Sequence, residues 1–383
     1  MSAQPKIAVI GAGIGGLALA GFLERQGADV TIYEQARAFL RVGAGIQMGP
    51  NAVHVLRALG LESMLRRRAF YPQAWTHRTW DTGGHLADLV FGETAEKQWG
   101  APYFLMHRGD LHAGLFETVS PSRIAYEKKL DGLDRIGDGV RLRFADGTSA
   151  EADAVIGADG VHSRVREILL GAEKPKFTGR VAHRTVYPAR LLQGEPILTC
   201  TKWWGPDRHI VIYPVTPKAD ELYFVTSVPD PSWNVESWSA EGDMAEVRTA
   251  MTGFHDEVQR VLAASPSCHK WALFERDPLP RWTDGPIALL GDACHPMTPY
   301  MAQGAANALE DAAVLARCLA NSSQEGVASA LQRYEATRLD RTARVQLTSR
   351  QNTWGKAGGD TSWVYGYNAI TTPLLAERVR AAI

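Results

Sequence analysis

The sequence predicts an α/β fold, a Rossmann-like parallel-sheet domain with a β-rich domain inserted into it. Three observations predict this. The strand-like run KIAVI passes directly into GAGIGG and a helical LALAGFLERQG, the plan of a βαβ dinucleotide-binding unit. Two later stretches, DAVIGADG (153–160) and PIALLGDA (286–293), repeat an apolar strand that ends on a glycine and an aspartate. Between them, residues 176–275 lose the βα alternation and read as short β-rich runs separated by turns.

The bulk properties agree with a globular protein. A chain of 383 residues exceeds one typical core, and its composition is 45% hydrophobic and 22% charged. A net charge of −1, without long blocks of like charge, gives no sign of a nucleic-acid or membrane partner. Cys200, Cys268, Cys294 and Cys318 are widely spaced, with no CxxC and no His/Cys cluster, so neither disulfides nor a metal site is expected. The uncharged segment 7–23 is too short and glycine-rich for a membrane span and lacks a convincing cleavage site. A cytoplasmic location is expected.

The first motif comprises Gly11, Gly13 and Gly16, with Gly15 between the last two. Gly11 permits a tight turn, Gly13 lets the backbone approach a pyrophosphate, and Gly16 lets helix and strand pack closely. The helix start offers free N–H groups and positive potential to the phosphates. The next strand, ADVTIYEQ, ends on Glu34 and Gln35, which places an acid where a ribose hydroxyl is accepted.

Asp159 and Asp292 each sit at the carboxyl end of a further strand, where doubly wound sheets bind ligands. A nicotinamide dehydrogenase has no evident need for three such sites. An extended flavin dinucleotide does, because its ribityl chain needs an acceptor far from the adenosine ribose. FAD is therefore the expected tight cofactor. No second GxGxxG occurs, so NAD(P)H is expected to visit without a Rossmann domain of its own.

GAGIGG, ADG at 158–160 and GDACHP together resemble the group A FAD-dependent aromatic hydroxylases, the para-hydroxybenzoate and salicylate hydroxylase kind. The likeness runs from residue 6 to about residue 345. The runs GAGIQMGPNA, HRGDLH, KWW, DRHIVIYP and WVYGY look like the branch that acts on 6-hydroxynicotinate. The resemblance implies that Asp292 holds the ribityl hydroxyls and that the loop carrying Pro296 and Pro299 passes over the flavin ring. Gly304 and Ala305 then open an Ala-rich helix whose positive end is aimed at the flavin. It further implies pyrophosphate contact by Arg108, ribityl or ring contacts by Arg41, Val42 and Gln47, and an adenosine contact near Leu130. Asp159 is expected to close the FAD site, and NADH is expected over NADPH.

The insertion carries the expected substrate site. In RHIVIYPV a period of two puts His209, Val211 and Tyr213 on one face, with Ile210 and Ile212 on the other. Tyr223, Val225 and Ser227 share a face of the next run. One base, one phenol and small apolar groups suit a flat aromatic acid, with Cys200, Gln47, Pro296 and Tyr300 at its edges. The resemblance implicates His209 and Tyr213 in substrate activation, so they are read as the catalytic pair that takes the ring hydroxyl's proton.

The implied reaction is hydroxylation by O2 through a flavin C4a-hydroperoxide, with loss of carbon dioxide where the attacked carbon bears a carboxylate. For 6-hydroxynicotinate the product is 2,5-dihydroxypyridine. Members of that branch carry histidines where this chain has Gln47 and Tyr300, which makes salicylate or a related hydroxylated acid the alternative substrate. A flavin reductase making no oxygen insertion would share the FAD motifs. The FAD domain is expected over 1–70, 101–175 and 276–350, with the substrate domain over 71–100 and 176–275. The tail, 351–383, is expected to cap the FAD domain or a homodimer contact.

Overall fold

The computed structural model describes residues 4–39, 44–233, 240–320 and 322–376. Lys6–Ile10 lies within a six-stranded sheet, parallel to Asp29–Tyr33 on one side and to Ala154–Gly157 on the other. Ile287–Leu289 extends the sheet beyond Ala154–Gly157, and Ile124–Ala125 closes the far edge. KIAVI and AVIG are apolar almost throughout because helices cover both faces, as a parallel sheet requires.

Helix Ile14–Arg25 and helix Gly304–Leu319 pack against each other beside this sheet. Small residues set their closeness. A Cβ on Gly15 would stand 2.4 Å from Leu290 Cδ2 and 3.3 Å from Ala308 Cβ. Leu17, Leu19 and Leu23 are fully buried, each contributing roughly 1.5–3 kcal/mol of apolar transfer. The 24-residue helix Val327–Arg350 packs on Gly304–Leu319.

The second sheet has eight strands. Its order is Glu241–Gly242, Cys268–Glu275, Lys176–Pro188, Glu221–Pro229, His209–Pro214, Cys200–Trp204, Ala74–Thr79 and His85–Val90. Strand alternation sorts its side chains between two cores. Ile210, Ile212 and Phe224 point toward helices Met244–Ala250 and Asp256–Ala264. Val211, Tyr213, Tyr223 and Cys200 point the other way, into a core with Met301, Val345, Trp354 and Tyr365.

The tail is part of this second core. Trp354 and Tyr365 pack beside one another, and Tyr365 meets Tyr103, Phe91 and Trp99 edge-on or tilted. Far from capping the FAD domain alone, residues 352–365 roof the inner face of the eight-stranded sheet. All four cysteines are free and buried. Among the described residues, no helix is long and apolar enough to cross a membrane.

Candidate active site

The three glycine turns lie side by side. Ala158 N donates to Ile10 O and Leu290 N to Gly157 O, each at 2.9 Å, so adjacent strand ends are laced together. Gly11 has φ +100°, and a Cβ there would stand 2.6 Å from Ala158 O. At Gly16 it would stand 2.1 Å from Gly11 O. Gly13 is different: nothing lies within 4 Å of its Cβ position. Gly11, Gly15 and Gly16 are therefore required by chain packing, whereas Gly13 opens onto free space. Helix Ile14–Arg25 starts there without a side-chain cap, leaving its first-turn N–H groups available to an anion.

Glu34 braces this turn. Its Oε2 accepts from Ala12 N at 2.9 Å and its Oε1 from Ala36 N at 2.8 Å, and lone pairs remain for a ribose hydroxyl. His112 Nε2 donates to Ala12 O at 2.8 Å from the opposite side. Gln35 is exposed beside them. Arg41 and Val42 lie outside the described residues.

Asp292 and Arg108 share a groove. Both are open to solvent, yet protein surrounds them. Burial pushes the Asp292 carboxyl up, opposed by the charges of His295 and Arg108. Burial likewise pulls the Arg108 guanidinium down, opposed by Asp292. Groups that water reaches while protein crowds them stand in a deep cleft. The Cβ position of Gly304 is 3.9 Å from Asp292 Oδ1, so the helix start at Gly304 and Ala305 adjoins the acid. Its N-cap, Gln303, makes no side-chain capping bond. Pro299 is exposed, and Pro296 is buried with its carbonyl held by Gln346 Nε2 at 2.9 Å.

Two expected cofactor contacts have protein partners as well. Asp159 Oδ1 accepts from Ser163 Oγ at 2.5 Å, and Oδ2 accepts from Arg164 N and Val165 N at 2.7 and 3.1 Å. Its carboxylate thus binds the first turn of helix Arg164–Leu170, whose N-cap is Ser163, and a lone pair remains on Oδ1 for a ligand. The Leu130 side chain is buried in the core of the FAD domain, leaving only backbone for an adenosine.

A buried ionic network holds the Gly291–Asp292 turn. Asp311 Oδ2 accepts from Gly291 N at 3.1 Å and lies 2.5 Å from His295 Nε2. Its Oδ1 accepts from Arg338 Nε at 2.7 Å. Arg338, fully buried, also pairs with Glu310 at 2.7 Å. Asn51 Nδ2 donates to Glu310 at 2.7 Å and to Gln303 at 2.8 Å. The turn, the helix start and helix Pro50–Ala58 are thus tied together through buried polar contacts. Cys294, His295 and Asp311 offer ligand atoms within 4.8 Å of one another. Both Asp311 oxygens are already taken, and Arg338 beside them repels a cation.

The eight-stranded sheet supplies the other wall. In register, Tyr213 faces Tyr223, Val211 faces Val225, and His209 faces Ser227. Tyr213 Oη faces the Gln47 side chain. Gln47 Oε1 accepts from Tyr103 Oη at 2.6 Å, so the Gln47 amide N–H is left to donate to Tyr213. Gly45 makes room, since a Cβ there would stand 2.7 Å from Tyr213 Oη. At the other end, the His209 ring meets Tyr300 edge-on at 5.5 Å. Ser227 Oγ lies 3.1 Å from Tyr300 Oη and accepts from Arg180 Nε at 2.9 Å.

His209 and Tyr213 therefore share a face without touching. Four residues along a strand separate them by about 13 Å, so they are not a hydrogen-bonded dyad and have different partners. Their protonation states differ as well. Burial pushes the Tyr213 phenol well above its usual range, with Tyr223 and Cys200 adding to this and Gln47 opposing. Burial holds His209 well below its usual range, reinforced by Lys202, Arg180 and His77. Tyr213 is a neutral phenol and His209 a neutral imidazole at pH 7.

The FAD binding domain family matches residues 4–349 of this chain. Two 6-hydroxynicotinate 3-monooxygenases, from Bordetella bronchiseptica and Pseudomonas fluorescens, are each 47% identical over 384 residues, covering all of both chains. The chain belongs to the FAD-dependent aromatic hydroxylase family. A salicylate hydroxylase substrate complex superposes with a TM-score of 0.83 at 26% identity, covering 98% of this chain and 100% of that one.

For an FAD-dependent hydroxylase the cleft fits its cofactor. The open backbone at Gly13, the free helix start, Glu34, Arg108 and Asp292 line up from the first strand end to the third. This hydroxylase has functional residues that strand and motif reading missed. Asp311 and Glu310 interrupt an apolar helical stripe, and that interruption is the local signal of their network. Lys202 carries the same kind of signal, a charge at 1% exposure inside a strand that is buried throughout.

Proposed function

We propose that this hydroxylase converts 6-hydroxynicotinate to 2,5-dihydroxypyridine with loss of carbon dioxide, using NADH and O2. The full-length 47% identity to two 6-hydroxynicotinate 3-monooxygenases carries the reading. One oxygen atom enters the ring at the carbon that loses carboxylate, and the other leaves as water. Bound FAD supplies the electrophilic oxygen, with electrons drawn from the nicotinamide.

The chain's own residues prepare the ring. With its Oε1 held by Tyr103, Gln47 can offer Tyr213 only its amide N–H, which leaves the Tyr213 proton for the substrate's hydroxyl oxygen. Burial that holds the Tyr213 phenol protonated favours this donor role over the proton-taking role expected from sequence. His209, about 13 Å along the same face, is out of reach of that hydroxyl and takes no proton from it. Val211, Val225, Met301 and Trp354 wall the cleft with apolar surface that excludes water from the reacting carbon.

A second reading, hydroxylation of salicylate, is favoured by Gln47 and Tyr300 standing in place of histidines and by the likeness to salicylate hydroxylase. The two are separated by mixing holoenzyme with NADH and either acid, then recording NADH loss, oxygen uptake and product mass. Coupled product from 6-hydroxynicotinate supports the first reading. Coupled product from salicylate alone replaces it, and NADH oxidation without either product removes both.

A further inference from the structure

The inner face of the eight-stranded sheet carries a corner of basic groups that the reaction above does not use. Lys202 stands opposite Val211 on one side and His77 on the other. Its Nζ sits 3.8 Å from the Trp204 ring centroid and 5.9 Å from that of Tyr300. Lys202 is 1% exposed, and its one hydrogen bond here is a long one, 3.5 Å to Asn352 Oδ1. Lys356 approaches the same indole, its Nζ 5.3 Å from the centroid.

His77 completes the corner. It is fully buried, and its Nδ1 accepts from Trp204 Nε1 at 2.9 Å. Nε2 must then carry the remaining proton of the neutral ring, and it has no hydrogen-bond partner. The charges acting on His209 are those of Lys202 and Arg180, both positive. The acid that acts on His77, Asp88, is exposed and paired with His85 at 3.1 Å. Buried donors without acceptors are costly unless something negative completes them.

Resting on the reading under Proposed function, we infer that Lys202, with His77 Nε2 beside it, receives the carboxylate of the aromatic acid and so selects anionic rings over neutral ones. The spacing suits this. Lys202 is opposite Val211, two residues and about 7 Å along the strand from Tyr213. A ring whose hydroxyl meets Tyr213 directs a carboxylate on its opposite side toward Lys202. Burial and the neighbouring Lys356 pull the Lys202 ammonium well below its usual range, a penalty that a bound carboxylate relieves. Asn352, at φ 51°, and Gly355 bring the tail over this corner, which gives residues 352–356 a place in substrate recognition.

The test uses holoenzyme and matched ligand pairs, 6-hydroxynicotinate with 2-hydroxypyridine and salicylate with phenol. Dissociation constants are read from the change in flavin absorbance. Wild type is expected to bind at least one acid about 10- to 150-fold more tightly than its decarboxylated partner, the range of a charge-assisted hydrogen bond. Lys202→Met and Lys202→Gln are expected to abolish that preference, changing the neutral ligand's constant less than about threefold. Wild type that binds neither acid better than its partner overturns the inference without reference to any variant. So does a variant that retains its flavin and keeps the preference, or that weakens both ligands of a pair equally. Preference lost in the variants, with no coupled product from wild type, would sink the proposed reaction and leave Lys202's assignment standing.

Discussion

Replacing Tyr213 by Phe removes a single oxygen from a side chain that is 2% exposed. Two consequences follow from its surroundings. The Gln47 amide N–H, its carbonyl held by Tyr103 at 2.6 Å, faces a ring edge in place of an oxygen, which costs about 0.5–1.5 kcal/mol of stability. The substrate loses a hydrogen bond to the oxygen on which negative charge builds as the ring is attacked. At about 1.5–3 kcal/mol for a bond to a charged group, kcat/KM should fall roughly 10- to 150-fold. The assay follows NADH loss, oxygen uptake and hydroxylated product together, on enzyme whose FAD content has been matched to wild type. Glu34, Arg108 and Asp292 do not depend on the Tyr213 hydroxyl, so flavin content should not change and the loss should appear in product. Coupled turnover within about twofold of wild type would refute the role given to Tyr213.

Alanine at two glycines should behave oppositely. Gly16→Ala drives a Cβ to 2.1 Å from Gly11 O and should cost the protein its fold, whereas Gly13→Ala meets nothing within 4 Å. Thermal melts of the Gly13 variant without FAD should match wild type while its FAD affinity drops about tenfold or more; unchanged FAD affinity would count against the phosphate site. Asp311→Asn breaks a buried ion pair and should cost about 3–5 kcal/mol in denaturant melts; a loss under about 1 kcal/mol would show that the network does not hold the turn. Burial keeps His77 neutral down to about 3 and His183 down to about 4. The unfolded chain binds those protons near pH 6.5, so stability is full above that and declines as pH falls toward 4, by at most about 1.4 kcal/mol per unit per histidine. Melts between pH 7.5 and 5 check this, and a flat profile would contradict it.

Much of the cofactor cleft was legible because its determinants are local. A glycine that must take φ +100°, an acid at a strand end and a helix start each leave a mark within a few residues of sequence. Strand alternation likewise sorts His209, Val211 and Tyr213 from Ile210 and Ile212, since the period of two is a local property. What stayed hidden depends on contacts distant in sequence. Asp159 ends a strand as read, but the hydrogen bonds its oxygens accept from the helix four residues on leave no mark in the motif. His209 and Tyr213 looked like a pair because the motif joins them, but strand rise keeps them apart. The tail's role arises from Trp354 and Gly355 meeting side chains of strands more than 100 residues earlier, and no periodicity in TWGKAGGDTSWVYGY records that.

The most direct test of the central claim is isotopic. Holoenzyme, NADH and 6-hydroxynicotinate are incubated under 18O2, and the product is weighed by mass spectrometry while released carbon dioxide is collected. The expected result is 2,5-dihydroxypyridine carrying one 18O atom, with one carbon dioxide released per NADH consumed. NADH oxidation that yields only hydrogen peroxide with every hydroxylated acid, or product whose new oxygen comes from water, would contradict it.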